Sequence, residues 1–551
     1  MMPSATTLTL ALGACFHLGH AALLKSQTPP MGWNSYNRYG CSPREDIIRL
    51  NAQGLVDLGF ADLGYNIVTV DCGWPARDRD EEGRLVWNET LFPSGPVALG
   101  EFIHGLGLKY GLYSGAGYLQ CGSEDIPASL GFEVIDAQSF AEWGGDTLKY
   151  DNCYSTSTTQ MVDSSSAESQ SPERFIVMGD ALNETDRDIQ YFLCQWGIGR
   201  NVPEWAAPLG NSWRMSNDIF GAWRSIWRIV NQAVPHSRCT GPGAFADLDM
   251  LFVGLGALSP EEERFHFGFW AMMKSPLMIG GVMDREQIPE ESLTIMSNAE
   301  VIAINQDPLA KAAELIIRYT EGEWDVWAGE LSGGRKVIGV ANWRNATQTV
   351  DVDLALIGVA SAASHEPWSS TYGSVSGVET FELKPHELRI LILSDIVAAN
   401  APQSEGYYGA DEAALSGGAG LVNCPDNECL PTNQKVGNLG IGASATFEGV
   451  SSPVSGSVLL GVDFINYQYH FSEAWTDGTN TRNMTITVND EEAKRWAFPL
   501  AGNDWYETGR LLIEVDGFVE GEANKVTFAA IRGRENYAPD LVGFEVLSKA
   551  S

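Results

Sequence analysis

Histidine is scarce in this chain, with eight in 551 residues. No HExxH motif and no pair of CxxC motifs at zinc spacing occurs, which excludes the common zinc sites. Gly-x-Ser-x-Gly and Walker loops are also missing, so neither a serine-hydrolase elbow nor a P-loop NTPase is expected. Positive charge is in short supply. Lys and Arg number 35 against 71 Asp and Glu, a formal net charge of −36. Nucleic acid and anionic membranes are therefore not expected partners. Beyond residue 24 no apolar run is long enough to span a bilayer.

What is present describes a packed, exported protein. Hydrophobic residues make up 44% and charged residues 19%, which fits globular rather than disordered chain. At roughly 150 residues per domain, three or four units fit, fewer if one is an α/β barrel. The acidity suits a soluble protein acting on neutral ligands at mildly acidic pH, or serves solubility alone. Residues 6–24 are mostly apolar and uncharged, with small residues near Gly19 and Ala21. They read as an export signal over 1–24, although Lys and Arg are missing from its start and a membrane anchor is the alternative. Cys15 lies in that segment. The other eight cysteines (Cys41, Cys72, Cys121, Cys153, Cys194, Cys239, Cys424 and Cys429) form an even set that points to disulfides of unspecified connectivity. Asn88, Asn183, Asn345 and Asn483 stand in sequons and would be glycosylation acceptors on that route.

Strand-like runs alternate with helical patterns from about residue 30 to 305. Candidate strands are 31–36, 65–72, 109–115, 146–152, 189–196, 212–217, 246–252 and 276–280. Ser42-Pro43-Arg44-Glu45 and Ser259-Pro260-Glu261-Glu262 both read as capping boxes with Pro at the first helical position. Eight strands alternating with helices predict a (β/α)8 barrel over 25–308. A doubly wound open sheet is the alternative, and it would favour a glycine-rich loop that Met31 to Tyr39 lacks. Short alternating runs then predict an antiparallel β-domain over 309–396. Residues 397–406, rich in Ala, Asn, Pro, Gln and Ser, read as a linker. Many short strands and turns predict a β-sandwich over 407–551.

Active sites of such barrels lie where strands end at the C-terminal face. Lys149 and Asp151 sit two apart on one strand and share a face. A neighbouring ammonium keeps a carboxylate ionised, as a nucleophile requires, and a structural ion pair is the alternative. Trp213-Arg214 to Asp218 ends the sixth strand, Asp247-Leu248-Asp249 lies on the seventh, and Asp71 is at the end of the second. With Trp33, Tyr36, Trp74, Tyr113 and Trp196 nearby, these suit a concave site for a neutral polyol. Aromatic faces pack on sugar faces and carboxylates accept hydroxyl hydrogens, although the same aromatics could be ordinary barrel packing.

Six segments, in register over about residues 28–395, resemble glycoside hydrolase family 27, the α-galactosidase family. They are Met31-Gly32-Trp33-Asn34-Ser35-Tyr36, Asp71-Cys72-Gly73-Trp74, Leu148 to Cys153, Cys194-Gln195-Trp196-Gly197, Trp213-Arg214 to Asp218, and Asp249-Met250. The resemblance implies a retaining exo-glycosidase without a catalytic cofactor, acting on terminal α-D-galactosides. Asp151 matches the nucleophile and Asp218 the acid/base, groups that retaining chemistry holds about 5–5.5 Å apart. Asp218 is expected to start protonated and Asp151 ionised. Trp33, Tyr36, Asp71, Cys72, Tyr113, Lys149, Gln195, Trp196, Arg214 and Asp249 match the substrate-binding shell. The resemblance also implies bridges Cys41–Cys72 and Cys121–Cys153. Cys424 and Cys429 are counted among the disulfide cysteines, and Cys239 is left as partner for Cys194.

Cys72 stands where many members carry a second aspartate that holds the C6 hydroxyl. That keeps β-L-arabinopyranosides open as substrates. α-N-Acetylgalactosaminidase activity would need room at the 2-position, which the Gly197-Ile198-Gly199 loop does not settle, and a catalytically silent sugar-binding protein is the alternative of another class. The C-terminal unit, over about 407–549, resembles carbohydrate-binding module family 35. Its segments are Leu415 to Ala419, Lys435-Val436-Gly437, Asn489-Asp490 and Ala538 to Phe544. Such modules often hold a structural calcium, for which Glu412 and Asp540 are the candidate ligands here. Tyr467, Trp475 and Trp505 could stack on sugar or belong to its core.

Overall fold

The computed structural model describes residues 26–199, 201–469, 478–489, 491–532 and 536–548. The expected export signal and Trp475 lie outside them. Eight parallel strands form the first sheet: β1 (Met31–Asn34), β2 (Ile67–Thr69), β3 (Lys109–Gly115), β4 (Thr147–Asp151), β5 (Gln190–Cys194), β6 (Ser212–Arg214), β7 (Phe245–Asp247) and β8 (Leu277–Ile279). Their order is β7-β6-β5-β4-β3-β2-β1-β8, and a parallel bridge between Leu251 and Ile279 joins the two ends into a ring. Helices separate the strands, so the chain adopts the (β/α)8 class.

Local sequence explains these helices. In Glu45–Asp57 the buried positions Ile48, Asn51, Ala52 and Leu55 recur at helical spacing and face the barrel. Its expected capping box does not form. The helix starts two residues later, at N-cap Arg44, and Glu45 turns to Arg49 and Ser94 instead. The second box does form: Ser259 and Glu262 cap Pro260–Met272 reciprocally.

After the barrel comes an antiparallel β-domain built on Glu314–Tyr319, Trp324–Leu331, Arg335–Asn342, Val359–Glu366 and Leu388–Ala398. The expected linker shrinks to 399–402, because strand Leu388–Ala398 enters it from one side and Gln403–Gly409 from the other. The C-terminal unit is a two-sheet sandwich whose core includes Phe447, Phe464, Phe498, Phe528 and Phe544. It is not a tethered module. Strand Gly509–Phe518 pairs with Glu314–Tyr319 at Leu512 and Ile317, so one sheet runs through both β-units. Leu459 and Leu547 of the sandwich also lie in the core of the middle domain.

Both candidate calcium ligands have protein partners. Lys435 Nζ lies 2.8 Å from Asp540 Oδ2, and Glu412 accepts the Gly409 amide at 2.9 Å.

Candidate active site

The strand ends open on a cavity of about 640 Å³, within the range that encloses small ligands. Tyr36, Asp71, Tyr113, Lys149, Asp151, Trp196, Arg214, Asp218 and Asp249 all line it. Strand pairing sets Asp151 between Gly115 and Cys194. Lys149 and Asp151 point inward because Leu148 and Tyr150 take the opposite face, in the core.

Asp151 is 7% exposed. Its Oδ2 accepts the Tyr113 hydroxyl at 2.9 Å and its Oδ1 the Asn152 amide at 2.9 Å. Burial pushes its carboxyl above the usual range, and Lys149 pulls it back down. Burial and the Asp151 charge push the Tyr113 hydroxyl up, so it stays protonated and donates. Lys149 makes its direct ion pair with Asp71, at 2.8 Å, not with Asp151. The Asp71 carboxylate also accepts from Asn34 at 2.8 Å, which ties the ends of β1, β2 and β4 together.

Arg214 organises the opposite wall. Its Nη2 donates to Asp218 at 2.7 Å and its Nη1 to Asp249 at 3.0 Å. Asp249 adopts φ 87° and further accepts the Ile219 and Met250 amides. Burial pushes the Asp249 carboxyl up to about 6. Asp218 is more open, 35% exposed, and interacts with Asp151 through their charges. Proximity to Asp218, with burial, pushes the Tyr36 hydroxyl up.

Three expected shell residues sit off the cavity wall. Trp33 is fully buried and donates to the Gly281 carbonyl at 2.7 Å. Gln195 is fully buried and donates to the Ile198 carbonyl. Cys72 is bonded to Cys41. Gly73 permits that turn, since its φ is +89° and a Cβ there would fall 2.2 Å from the Cys41 carbonyl oxygen. Cys121–Cys153 and Cys424–Cys429 are also bridged. The Cys194–Cys239 pairing is not formed. Cys194 is a free, buried thiol contacted by Arg214 at 3.6 Å, while Cys239 is disulfide-bonded elsewhere. Sulfur atoms of Cys121 and Cys153 lie near Asp151, but as a disulfide they offer no thiolate to a metal.

Sequence reasoning missed Asn37 and the 161–165 segment, which wall the cavity. That segment belongs to the long excursion after β4, where strand periodicity gives no signal. The sequons at Asn183 and Asn345 are exposed, and those at Asn88 and Asn483 are half-buried.

Residues 28–307 match the family model described as alpha galactosidase A, and 321–393 match that of the alpha galactosidase C-terminal beta sandwich domain. The sandwich from Gln403 onward lies outside both. Alpha-galactosidase D of Emericella nidulans is 37% identical, with 95% of each chain covered. The crystal structure of alpha-galactosidase I from Mortierella vinacea superposes with a TM-score of 0.64 at 34% identity, over 69% of this chain and all of that one. The α-galactosidase of Saccharomyces cerevisiae, solved with raffinose, gives 0.61 at 29% identity over 67% of this chain and 98% of its own.

Proposed function

The chain belongs to glycoside hydrolase family 27, the α-galactosidase family, and from that premise we propose that it is a retaining exo-enzyme. Its substrates are terminal non-reducing α-D-galactosides of oligo- and polysaccharides. The observation that carries this reading is the convergence of Asp151 and Asp218 on one bounded cavity, with a phenol on the first and a guanidinium on the second.

In the first step Asp151 attacks the anomeric carbon and the bond to the leaving oxygen breaks. That oxygen takes the proton from Asp218, leaving a galactosyl ester on Asp151. In the second step water attacks the same carbon, gives its proton to Asp218, and frees Asp151. The Tyr113 hydroxyl stabilises the carboxylate in both its attacking and departing forms. Lys149 offsets the burial of Asp151 and keeps it ionised at mildly acidic pH. Asp71, Lys149 and Asp249 present charged donors and acceptors to sugar hydroxyls. Proton NMR during early turnover of nitrophenyl α-galactoside tests the stereochemistry. α-Galactose should appear first, and β-galactose first would end the retaining assignment.

One observation favours a second reading, β-L-arabinopyranosidase activity in the same site. Cys72 is held in a disulfide off the cavity wall, so that position offers no carboxylate for a C6 hydroxyl. Comparing kcat/KM on the two nitrophenyl glycosides decides it, since a large arabinoside preference would displace the galactoside reading. Three disulfides among the described residues support an exported, oxidised protein. The sandwich likeness to a carbohydrate-binding module leaves sugar binding open, but Tyr467 packs on Trp505, and Trp505 also lies under Arg482.

A further inference from the structure

The C-terminal sandwich reaches into the catalytic barrel. Tyr469 donates its hydroxyl to the Trp196 carbonyl at 2.6 Å. Its ring packs on the cluster of Cys153, Cys194, Trp196 and Ile198. Tyr467 donates to the Gly199 carbonyl at 3.1 Å. Trp196 has φ 73°, a left-handed conformation that a large side chain adopts only when its surroundings hold it there. Tyr469 bonds the carbonyl of that same residue.

Tyr469 and Asn480 also reach the other wall. The Tyr469 hydroxyl is in hydrogen-bonding contact with the Gln232 side chain and the Asn217 main chain. Asn480 donates to Gln232 Oε1 at 3.1 Å and to the Arg228 carbonyl at 3.4 Å. Gln232 in turn donates to the Met215 carbonyl, and Arg228 to Asn217 and, at 3.0 Å, to the Asp218 carbonyl. Trp196 and Asp218 both line the cavity. Elsewhere the units are locked together. Arg318 joins Asn231 at 2.8 Å to the Ala497 carbonyl at 3.3 Å while pairing with Asp325.

We infer that the C-terminal sandwich completes the active site, with Tyr469 and Asn480 as positioning residues that fix Trp196 and the Asp218 loop. This rests on the proposed roles of Asp151 and Asp218. It assigns the sandwich a role in turnover that a detachable sugar-binding module would not have. A misplaced acid/base slows departure of poor leaving groups more than activated ones, because only the former need the proton.

The experiment uses the full chain with Tyr469→Phe, which keeps the ring and removes the hydroxyl, and with Asn480→Ala as the second variant. Melibiose and 2,4-dinitrophenyl α-galactoside are the substrates. Loss of one hydrogen bond corresponds to about five- to tenfold in kcat/KM. The expected result is a loss of that size on melibiose in either variant, with a clearly smaller loss on the dinitrophenyl glycoside. Equal losses on both substrates, or a lowered Tm with unchanged turnover, would overturn the inference. A wild-type enzyme inactive on both substrates would instead defeat the functional reading on which it rests. Should Tyr469→Phe fail to fold, Asn480→Ala carries the same comparison.

Discussion

Lys149→Met separates the structural work of Lys149 from its electrostatic work. Lys149 and Asp71 form an ion pair at 2.8 Å, with side chains 15% and 1% exposed. Removing one partner of a buried pair costs about 3–5 kcal/mol, because the other charge is left uncompensated. Asp71 keeps Asn34 and the Cys72 amide as donors, so the lower end of that range is expected. The second effect falls on Asp151. Burial raises its carboxyl and Lys149 lowers it, so without the ammonium it rises further. A nearby opposite charge is typically worth about one pH unit or more. The acidic limb of kcat/KM, which reports the ionised nucleophile in free enzyme, should therefore move to higher pH by about that amount. Lys149→Arg should restore the limb. Rate profiles on nitrophenyl α-galactoside and thermal melts at one pH read the two effects separately. An unmoved limb, or one displaced to lower pH, would refute the electrostatic argument.

Asp218→Asn should reduce melibiose hydrolysis by about 10²–10⁴-fold, the usual worth of a general acid, while an activated aryl galactoside still shows a burst of released phenol. Equal loss on both substrates would count against its role as acid. His266 is buried, accepts the Phe252 amide at Nε2 at 2.9 Å, and packs edge-on against Trp270. Burial pushes its ring down to about 3, so the unfolded chain takes up the proton first. Its contribution is fully present above pH 6.5 and lost as pH falls toward 3, costing about 2 kcal/mol between pH 6.5 and 5. Denaturant melts at pH 7 and pH 5 should show a smaller acid loss in His266→Gln, and an equal loss would contradict this assignment.

The barrel was legible in the sequence because short strand-like runs alternate regularly with turn and helix signals. Polar residues such as Asp71, Asp151 and Asp218 fall just where those runs end. The Ser259 box formed as written. The Ser42 box failed because Ser94, far along the chain, offers Glu45 a better set of donors. Lys149 and Asp151 were correctly assigned to one face, but alternation cannot say which carboxylate an ammonium will choose, and Asp71 won. Parity of cysteines could not reveal that Cys194 stays free. The fusion of the two β-units was hidden for a similar reason. Residues 397–406 have the composition of a linker, and the contact that overrules it, Ile317 with Leu512, is a pairing between distant strands. Tyr467 and Tyr469 offered only aromatic character, with nothing to signal that they reach the barrel.

The most direct measurement is to trap the covalent intermediate with a slowly released 2-deoxy-2,2-difluoro-α-galactoside and map the labelled peptide by mass spectrometry. The galactosyl label should sit on Asp151, in the peptide that contains Lys149 to Cys153. A label on any other carboxylate, or none on an enzyme that the reagent inactivates, would contradict the assignment of the nucleophile.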